Sequence, residues 1–281
     1  MAAEPHPLLV EPLVRTALLE DIAHGGDLTT DAIVPGDRRA RARIVARRDG
    51  VVAGLPIAAT AFSLVDARVR MDVRAADGER VGAGATLAEL EGPARAILTA
   101  ERTALNFLGH LCGIATATRA LVDAVVGTNS RIVCTRKTTP GLRVLEKYAV
   151  RCGGGGNHRF GLDDAVLVKD NHIAIAGSIR AAVEAVRARV GHMVKIEVEV
   201  ETLDQLRELL ALPVDAVLLD NMSPTQLKEA VAEVNGRLLT EASGGIDLST
   251  VRAVAESGVD LISVGWLTHS APALDVALEI A

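Results

Sequence analysis

Aromatic side chains are scarce in this sequence. They make up 2% of 281 residues and comprise one Trp, one Tyr and three Phe. Single-stranded nucleic-acid binding by base stacking needs exposed rings, so the composition argues against it. Positive charge is not in surplus either. The net charge is −6, whereas a protein that grips a phosphate backbone wants excess Lys and Arg. Cysteine is limited to Cys112, Cys134 and Cys152, an odd number with no CxxC pair. That excludes a disulfide framework and a zinc site, and it predicts a reduced, cytoplasmic setting. Long apolar runs are missing too. No uncharged stretch reaches the roughly 18 residues that mark a membrane-spanning helix. The opening residues, MAAEPHPLLVEP, carry acids and prolines, which does not fit a signal peptide.

What is abundant is small and branched. The hydrophobic fraction is 49%, dominated by Ala, Val and Leu. Such a core suits layers of helices and strands, and the length allows one large or two modest domains. The first third reads as mixed. Helical spacing covers 7–21, and DLTTDAIVP follows as a turn-rich connector. Residues 40–53 alternate about Asp49–Gly50 and predict a β-hairpin. A helix is expected over 56–66, strands over 68–75 and 86–91, and one or two long helices over 93–127.

From Arg131 the pattern changes. Short apolar runs occur at Ile132–Cys134, Ala165–Val168, Val194–Val200, Ala216–Leu219, Leu238–Thr240 and Leu261–Val264. Helical patterns at 141–152, 178–190, 202–211, 223–235 and 247–257 separate them. This alternation predicts an α/β fold with a parallel sheet under helical cover. A closed, short (β/α) barrel is the expected topology, and an open doubly wound sheet competes with it.

In a parallel barrel the chemistry lies at the C-terminal strand ends. Those ends are polar here and complementary. One ends in Thr135, Arg136 and Lys137, and another in Lys169, Asp170 and Asn171. The third carries Glu197, Glu199 and Glu201 on one face, because strand side chains alternate. The others end in Asp220–Asn221, in Glu241 followed by Ser243, Gly244 and Gly245, and in Ser263, Val264 and Gly265. A lone Asp or Lys at a strand end is usually a cap or a surface residue. The convergence of these strand ends makes the case.

Each residue type points to a chemistry. Ser243–Gly245, ahead of a helix expected to start near Asp247, offers backbone N–H groups to a phosphate, and Gly265 adds a second loop. Glu199 and Asp220 are hard oxygen donors for a divalent ion or a sugar diol. Arg136, Arg159 and Arg102 suit planar carboxylates, which Arg grips in bidentate fashion. Lys137 and Lys169 are compact charges suited to phosphate or pyrophosphate. The tetraglycine Gly153–Gly156 lets backbone come close ahead of His158–Arg159, or simply caps the preceding helix.

With these residues in view, TRKTTPGLRVLEKYAVRCGGGGNHRFGL followed by VKDNH resembles the quinolinate phosphoribosyltransferase family. TAERTALNFLGHLCGIAT, EVEVE, LLDN, EASGGI and ISVGWLTHS match further blocks in the same order, from about residue 10 to the C-terminus. The resemblance implies an N-terminal α/β sandwich domain plus an incomplete TIM-like (β/α) barrel of parallel strands. It places the sandwich at 1–112, joined by the tail 268–281, and the barrel at 113–267.

It also implies a pentosyl transfer from phosphoribosyl pyrophosphate to quinolinate, with decarboxylation and magnesium, in NAD synthesis. By the same resemblance, Lys137, Lys169, Glu199 and Asp220 are catalytic, and Arg102, Thr135, Arg136, His158 and Arg159 join the two lysines around quinolinate. Ser243, Gly244, Gly245, Ser263, Val264, Gly265 and His269 fall on the phosphate side, and Glu199 and Asp220 on the metal side. Arg102 is implied to reach the active site of a neighbouring subunit in a homodimer. Cys134 departs from the family pattern, in which Asp often stands before TRKT. The alternatives are a molybdenum-transport-associated paralogue of the same fold and a non-catalytic phosphate-metabolite binding protein. VKDNH and NHR favour the enzyme.

Overall fold

The computed structural model describes residues 3–280. The chain forms two compact units. The first holds the chain up to Arg119, Thr138–Gly154, and the chain from Trp266 onward; the second holds Ala120–Lys137 and Gly155–Gly265. Thr138–Gly154, which the sequence assigns to the barrel, therefore clusters with the first unit.

The chain begins with α1 (Pro7–Ile22), α2 (Leu28–Ile33), β1 (Arg39–Ala46), β2 (Gly50–Val51) and α3 (Leu55–Val65). Next come β3 (Arg70–Val73), β4 (Arg80–Val81), β5 (Thr86–Pro93) and the single long helix α4 (Ala94–Ala124). Helix α1 buries Val10, Val14 and Leu18, four residues apart along one face. The connector DLTTDAIVP is not a plain turn. Asp27 accepts the Thr30 N–H at 3.0 Å and so caps α2.

The expected hairpin over 40–53 does not form. β1 pairs antiparallel with β5 on one side and with β12 (Val276–Ile280) on the other, while β2 pairs with β4. Burial and charge along the strands explain the choice. Arg39, Arg41 and Arg43 alternate outward on β1, and Arg41 meets Glu91 at 3.2 Å while Arg43 meets Glu279 at 3.0 Å. Pairing on both edges and burial of Ala42, Ile44 and Ala46, with these surface ion pairs adding a little, outweigh the local Asp49–Gly50 turn signal. The resulting sheet has the order β12-β1-β5-β3.

The second unit is built on β6 (Arg131–Val133), β7 (Val166–Val168), β8 (Ile196–Val200), β9 (Ala216–Asp220), β10 (Leu239–Ser243) and β11 (Leu261–Ser263). They form one parallel sheet in the order β6-β11-β10-β9-β8-β7. Helices α5 (Arg143–Cys152), α6 (Asp170–Ala176), α7 (Ile179–Arg187), α8 (Leu203–Leu209), α9 (Pro224–Val234), α10 (Val251–Ala255) and α11 (Trp266–His269) complete the chain, with α5 and α11 in the first unit. Ser178, Thr202 and Ser223 cap α7, α8 and α9 with their hydroxyls.

The barrel is not closed, contrary to the expectation from alternation alone. β6 and β7 stand at opposite ends of the strand order, and Gly156 bridges to β6 instead. Its N–H donates to Ile132 O at 2.8 Å, and its O accepts from Cys134 N–H at 3.1 Å. The glycine run thus occupies the strand edge that closure would use.

Candidate active site

Alternation along the six strands decides what faces the lumen. Ile196, Val198 and Val200 are buried on one face of β8, and Glu197 and Glu199 take the other. Strand-end residues from β6 through β11 line one cavity of about 360 Å³. It brings together Thr135, Arg136 and Lys137 after β6, Lys169 after β7, and Glu199 on β8. Asp220, Ser243 and Ser263 join from β9, β10 and β11. His158 and Arg159 enter from the segment after the glycines.

Arg136 and Arg159 form the cationic wall. The ε nitrogen of each is buried without a hydrogen-bond partner. Arg159 donates through Nη1 to Ala165 O at 2.9 Å. Burial, then the charge of Arg136, lowers the Arg159 pKa. The lysines differ from this pair in exposure: Lys137 and Lys169 are exposed. The Lys137 backbone N–H is held by Thr135 Oγ1 at 3.0 Å, and Lys169 is ion-paired to Glu199.

Asp220 closes β9 and accepts from Asn221 Nδ2 at 2.6 Å. Asn221 has a left-handed backbone, φ 55°, and donates its N–H to Ser243 O at 3.0 Å. A side chain at Gly244 (φ 102°) would place its Cβ 2.1 Å from Asn221 Oδ1. Glycine is therefore required where the β9 and β10 loops meet. The helix expected at 247–257 begins later and is shorter, at Val251–Ala255. Asp247 is the reason: its side chain accepts from Ser249 and Thr250 N–H groups and holds 247–250 as a turn. The candidate phosphate loop therefore presents left-handed glycine backbone at Gly244 and Gly245 rather than a helix start at Asp247.

His158 is engaged by protein groups at both ring nitrogens. Nδ1 accepts the Arg159 N–H at 2.7 Å, so Nε2 carries the proton and faces Glu197 Oε2 at 2.9 Å. Glu241 Oε1 lies 3.7 Å from the same Nε2. These three residues form the metal-type cluster among the described residues, with ligand atoms within 4.8 Å of one another. Glu241 is 1% exposed. Burial, then the charge of Glu197, pushes its pKa up to about 7. In the sequence Glu197 and Glu241 stand at strand ends with no assigned role. Period-two alternation already put Glu197 and Glu199 on the same face; the register that aims Glu241 at them was the missing signal.

The remaining candidates lie elsewhere. Gly245 and Gly265 are in loops and do not line the cavity, and Val264 is buried with its N–H donated to Val133 O at 3.0 Å. Arg102 and His269 belong to the first unit, and both are exposed. Arg102 makes no hydrogen bond or ion pair with the described residues. The Cys134 thiol is buried and donates to Asn157 Oδ1 at 3.3 Å. Among the described residues no helix is long and apolar enough to cross a membrane.

Comparison with known proteins decides the family. The N-terminal domain of quinolinate phosphoribosyl transferase matches residues 27–112, and the C-terminal domain of the same family matches 114–279. The chain belongs to the quinolinate phosphoribosyl transferase family. It is 46% identical over 273 residues to a probable nicotinate-nucleotide pyrophosphorylase (carboxylating) of Bacillus subtilis, covering 97% of this chain and 94% of the relative. The nicotinate-nucleotide pyrophosphorylase (carboxylating) of Mycobacterium leprae is 45% identical, with 95% of each chain covered. Among family structures, the crystal structure of NadC from Streptococcus pyogenes superposes with a TM-score of 0.96 at 41% identity, covering 99% of both chains. The family's two domains together span residues 27–279, and the chain has the six-stranded parallel sheet of an incomplete barrel and a separate antiparallel sheet.

Proposed function

We propose that the chain transfers a phosphoribosyl group from phosphoribosyl pyrophosphate to the ring nitrogen of quinolinate and decarboxylates the adduct. The products are nicotinate mononucleotide, pyrophosphate and carbon dioxide. One observation carries this reading: Arg136 and Arg159 hold buried, unpartnered ε nitrogens against one cavity. Two like charges on one half-buried wall repel each other and favour an anion between them. A planar dicarboxylate matches the fork geometry of paired guanidinium groups.

The other roles follow from position. Thr135, Arg136 and Arg159 take the quinolinate carboxylates, and Lys137 and Lys169 lie between the two substrates. His158 orders this end by accepting the Arg159 N–H. As pyrophosphate leaves, positive charge develops at the ribose carbon, and the Glu199 and Asp220 carboxylates stabilise it. Lys169 neutralises Glu199 until substrate arrives and can then turn to pyrophosphate. Ser243, Gly244 and Gly245 offer hydroxyl and left-handed backbone N–H groups to the 5′-phosphate, and Ser263 of β11 lines the same cavity.

Magnesium fits the donor set. Glu199 and Asp220 are hard oxygen ligands, and Mg²⁺ prefers one or two carboxylates plus substrate phosphates. Its charge would balance the pyrophosphate leaving group. We assign the functional unit as a homodimer, with Arg102 reaching the neighbouring site. The exposed, unpaired Arg102 and the exposed Leu8, Leu9 and Leu19 of α1 support this. A cytoplasmic setting accords with three thiols that form no disulfide.

The test is direct. Purified protein is incubated with quinolinate, phosphoribosyl pyrophosphate and Mg²⁺, and nicotinate mononucleotide is sought by chromatography. Folded protein that yields none overturns the assignment.

A further inference from the structure

The proposed reaction creates a demand that the residues above do not meet. When the carboxylate leaves the ring carbon next to the quaternised nitrogen, the C–C bond breaks and its electron pair stays on that carbon. The product carries hydrogen there. One proton must therefore reach this carbon inside the cavity in each turnover. Lys169 pairs with Glu199 and is assigned above to pyrophosphate, and Lys137 lies between the substrates. Glu199 and Asp220 serve as carboxylates, and His158 Nε2 donates to Glu197.

Glu241 is the buried carboxyl of the same cavity that has no role in the steps above. It projects from β10 into the lumen two residues before Ser243 and lines the main cavity beside His158 and Arg159. The same three side chains also wall a second cavity of about 260 Å³. Glu241 is 1% exposed, yet its Oε1 has no hydrogen-bond partner. The charged and titratable groups around it are Glu197 on β8, His158 from the segment after the glycines, and Lys169 after β7. Ser263 on β11 is the polar neighbour. Burial and the Glu197 charge together favour the neutral carboxyl. A buried acid with an unmatched oxygen at the carboxylate-binding end of the cavity is a poised donor.

We propose that Glu241 is the general acid that protonates the ring carbon vacated by the departing carboxylate. This rests on the reaction proposed above. Carbon dioxide leaves without its electron pair, and the ring carbon takes the Glu241 proton to form a C–H bond. The resulting Glu241 carboxylate recovers a proton from solvent before the next turnover. Without the acid, the carbanion recaptures carbon dioxide and the forward reaction stalls after ribosyl transfer.

The experiment is single-turnover kinetics of wild type and Glu241→Gln, timing pyrophosphate release and nicotinate mononucleotide formation separately from pH 5.5 to 8.5. Glu241→Gln is expected to release pyrophosphate within about threefold of the wild-type rate while forming product about 100-fold more slowly. Wild-type product formation is expected to fall as pH rises through about 7, where the acid form is lost. The variant should lack that fall. Product formation in the variant within about twofold of wild type overturns the proposal, and so does parallel loss of both steps. The wild-type profile decides independently of whether the variant folds: a rate that does not fall across that range rules Glu241 out. Absence of nicotinate mononucleotide from wild type at every pH overturns the underlying reaction as well, which sets that failure apart.

Discussion

Arg136 and Arg159 present two buried ε nitrogens to one cavity, neither with a hydrogen-bond partner, and the charge of Arg136 helps to lower the Arg159 pKa. In the proposed reaction this pair receives the anion that arrives with the substrate. Replacing either by Lys keeps a charge and removes the planar fork. Arg136→Lys or Arg159→Lys should lower kcat/KM for quinolinate by about 100-fold, from the roughly 1.5–3 kcal/mol of a hydrogen bond to a charged group. KM for phosphoribosyl pyrophosphate should stay within about twofold, which steady-state kinetics with each substrate varied will show.

Stability should record the raised Glu241 pKa. The carboxyl ordinarily titrates near 4.5, and in the folded chain near 7. Between those values the folded state holds more protons than the unfolded state. Stability from this residue is therefore lost as pH rises through that window and is constant above it. Glu241→Gln removes the titration. The variant should be the more stable at pH 8, by on the order of 2 kcal/mol, and the advantage should shrink towards pH 5. Denaturant titrations at the two pH values check this, and a pH-independent difference contradicts it.

Arg102 is expected to act on the partner's site. Arg102→Ala and Lys137→Ala should each be nearly inactive alone. When unfolded and refolded together, half of the dimers carry both chains and one intact site each. About a quarter of the wild-type rate should return by random pairing in a twofold dimer. No recovery means that Arg102 serves its own chain or that no dimer forms, and sedimentation separates the two.

The chain after Trp266 is held closely within the first unit. Leu274 N–H donates to Gly109 O at 2.9 Å, and a Cβ on Gly113 would lie 2.2 Å from Pro272 O. Gly113→Ala should lower Tm by roughly 5 °C, because overpacking against backbone costs about 1–3 kcal/mol. Gly36→Ala, which meets nothing within 4 Å, should change Tm by less than about 2 °C.

The parallel unit was legible because its signal is local. Each strand is a short apolar run, each end is polar, and side-chain alternation alone puts Glu197 and Glu199 on one face. The first unit was less legible. The Asp49–Gly50 turn signal lost to pairing of β1 with β5 and β12, strands far apart in sequence, which buries Ala42, Ile44 and Ala46. Helix α6 was overlooked because Asp170–Asn171 reads equally as a strand end, and its start depends on His172 Nδ1 accepting the Lys169 N–H at 2.9 Å. The Glu197–His158–Glu241 cluster was invisible for a similar reason. Its members come from separate segments, and only strand register reveals that they converge.

In the proposed reaction one cavity couples ribosyl transfer to loss of a carboxylate. Quinolinate labelled with carbon-14 in its 2-carboxylate, incubated with phosphoribosyl pyrophosphate and Mg²⁺, tests it most directly. Label should appear as carbon dioxide in step with pyrophosphate, one for one, with unlabelled nicotinate mononucleotide in the same amount. Pyrophosphate released without labelled carbon dioxide, or no turnover by folded protein, would contradict the claim.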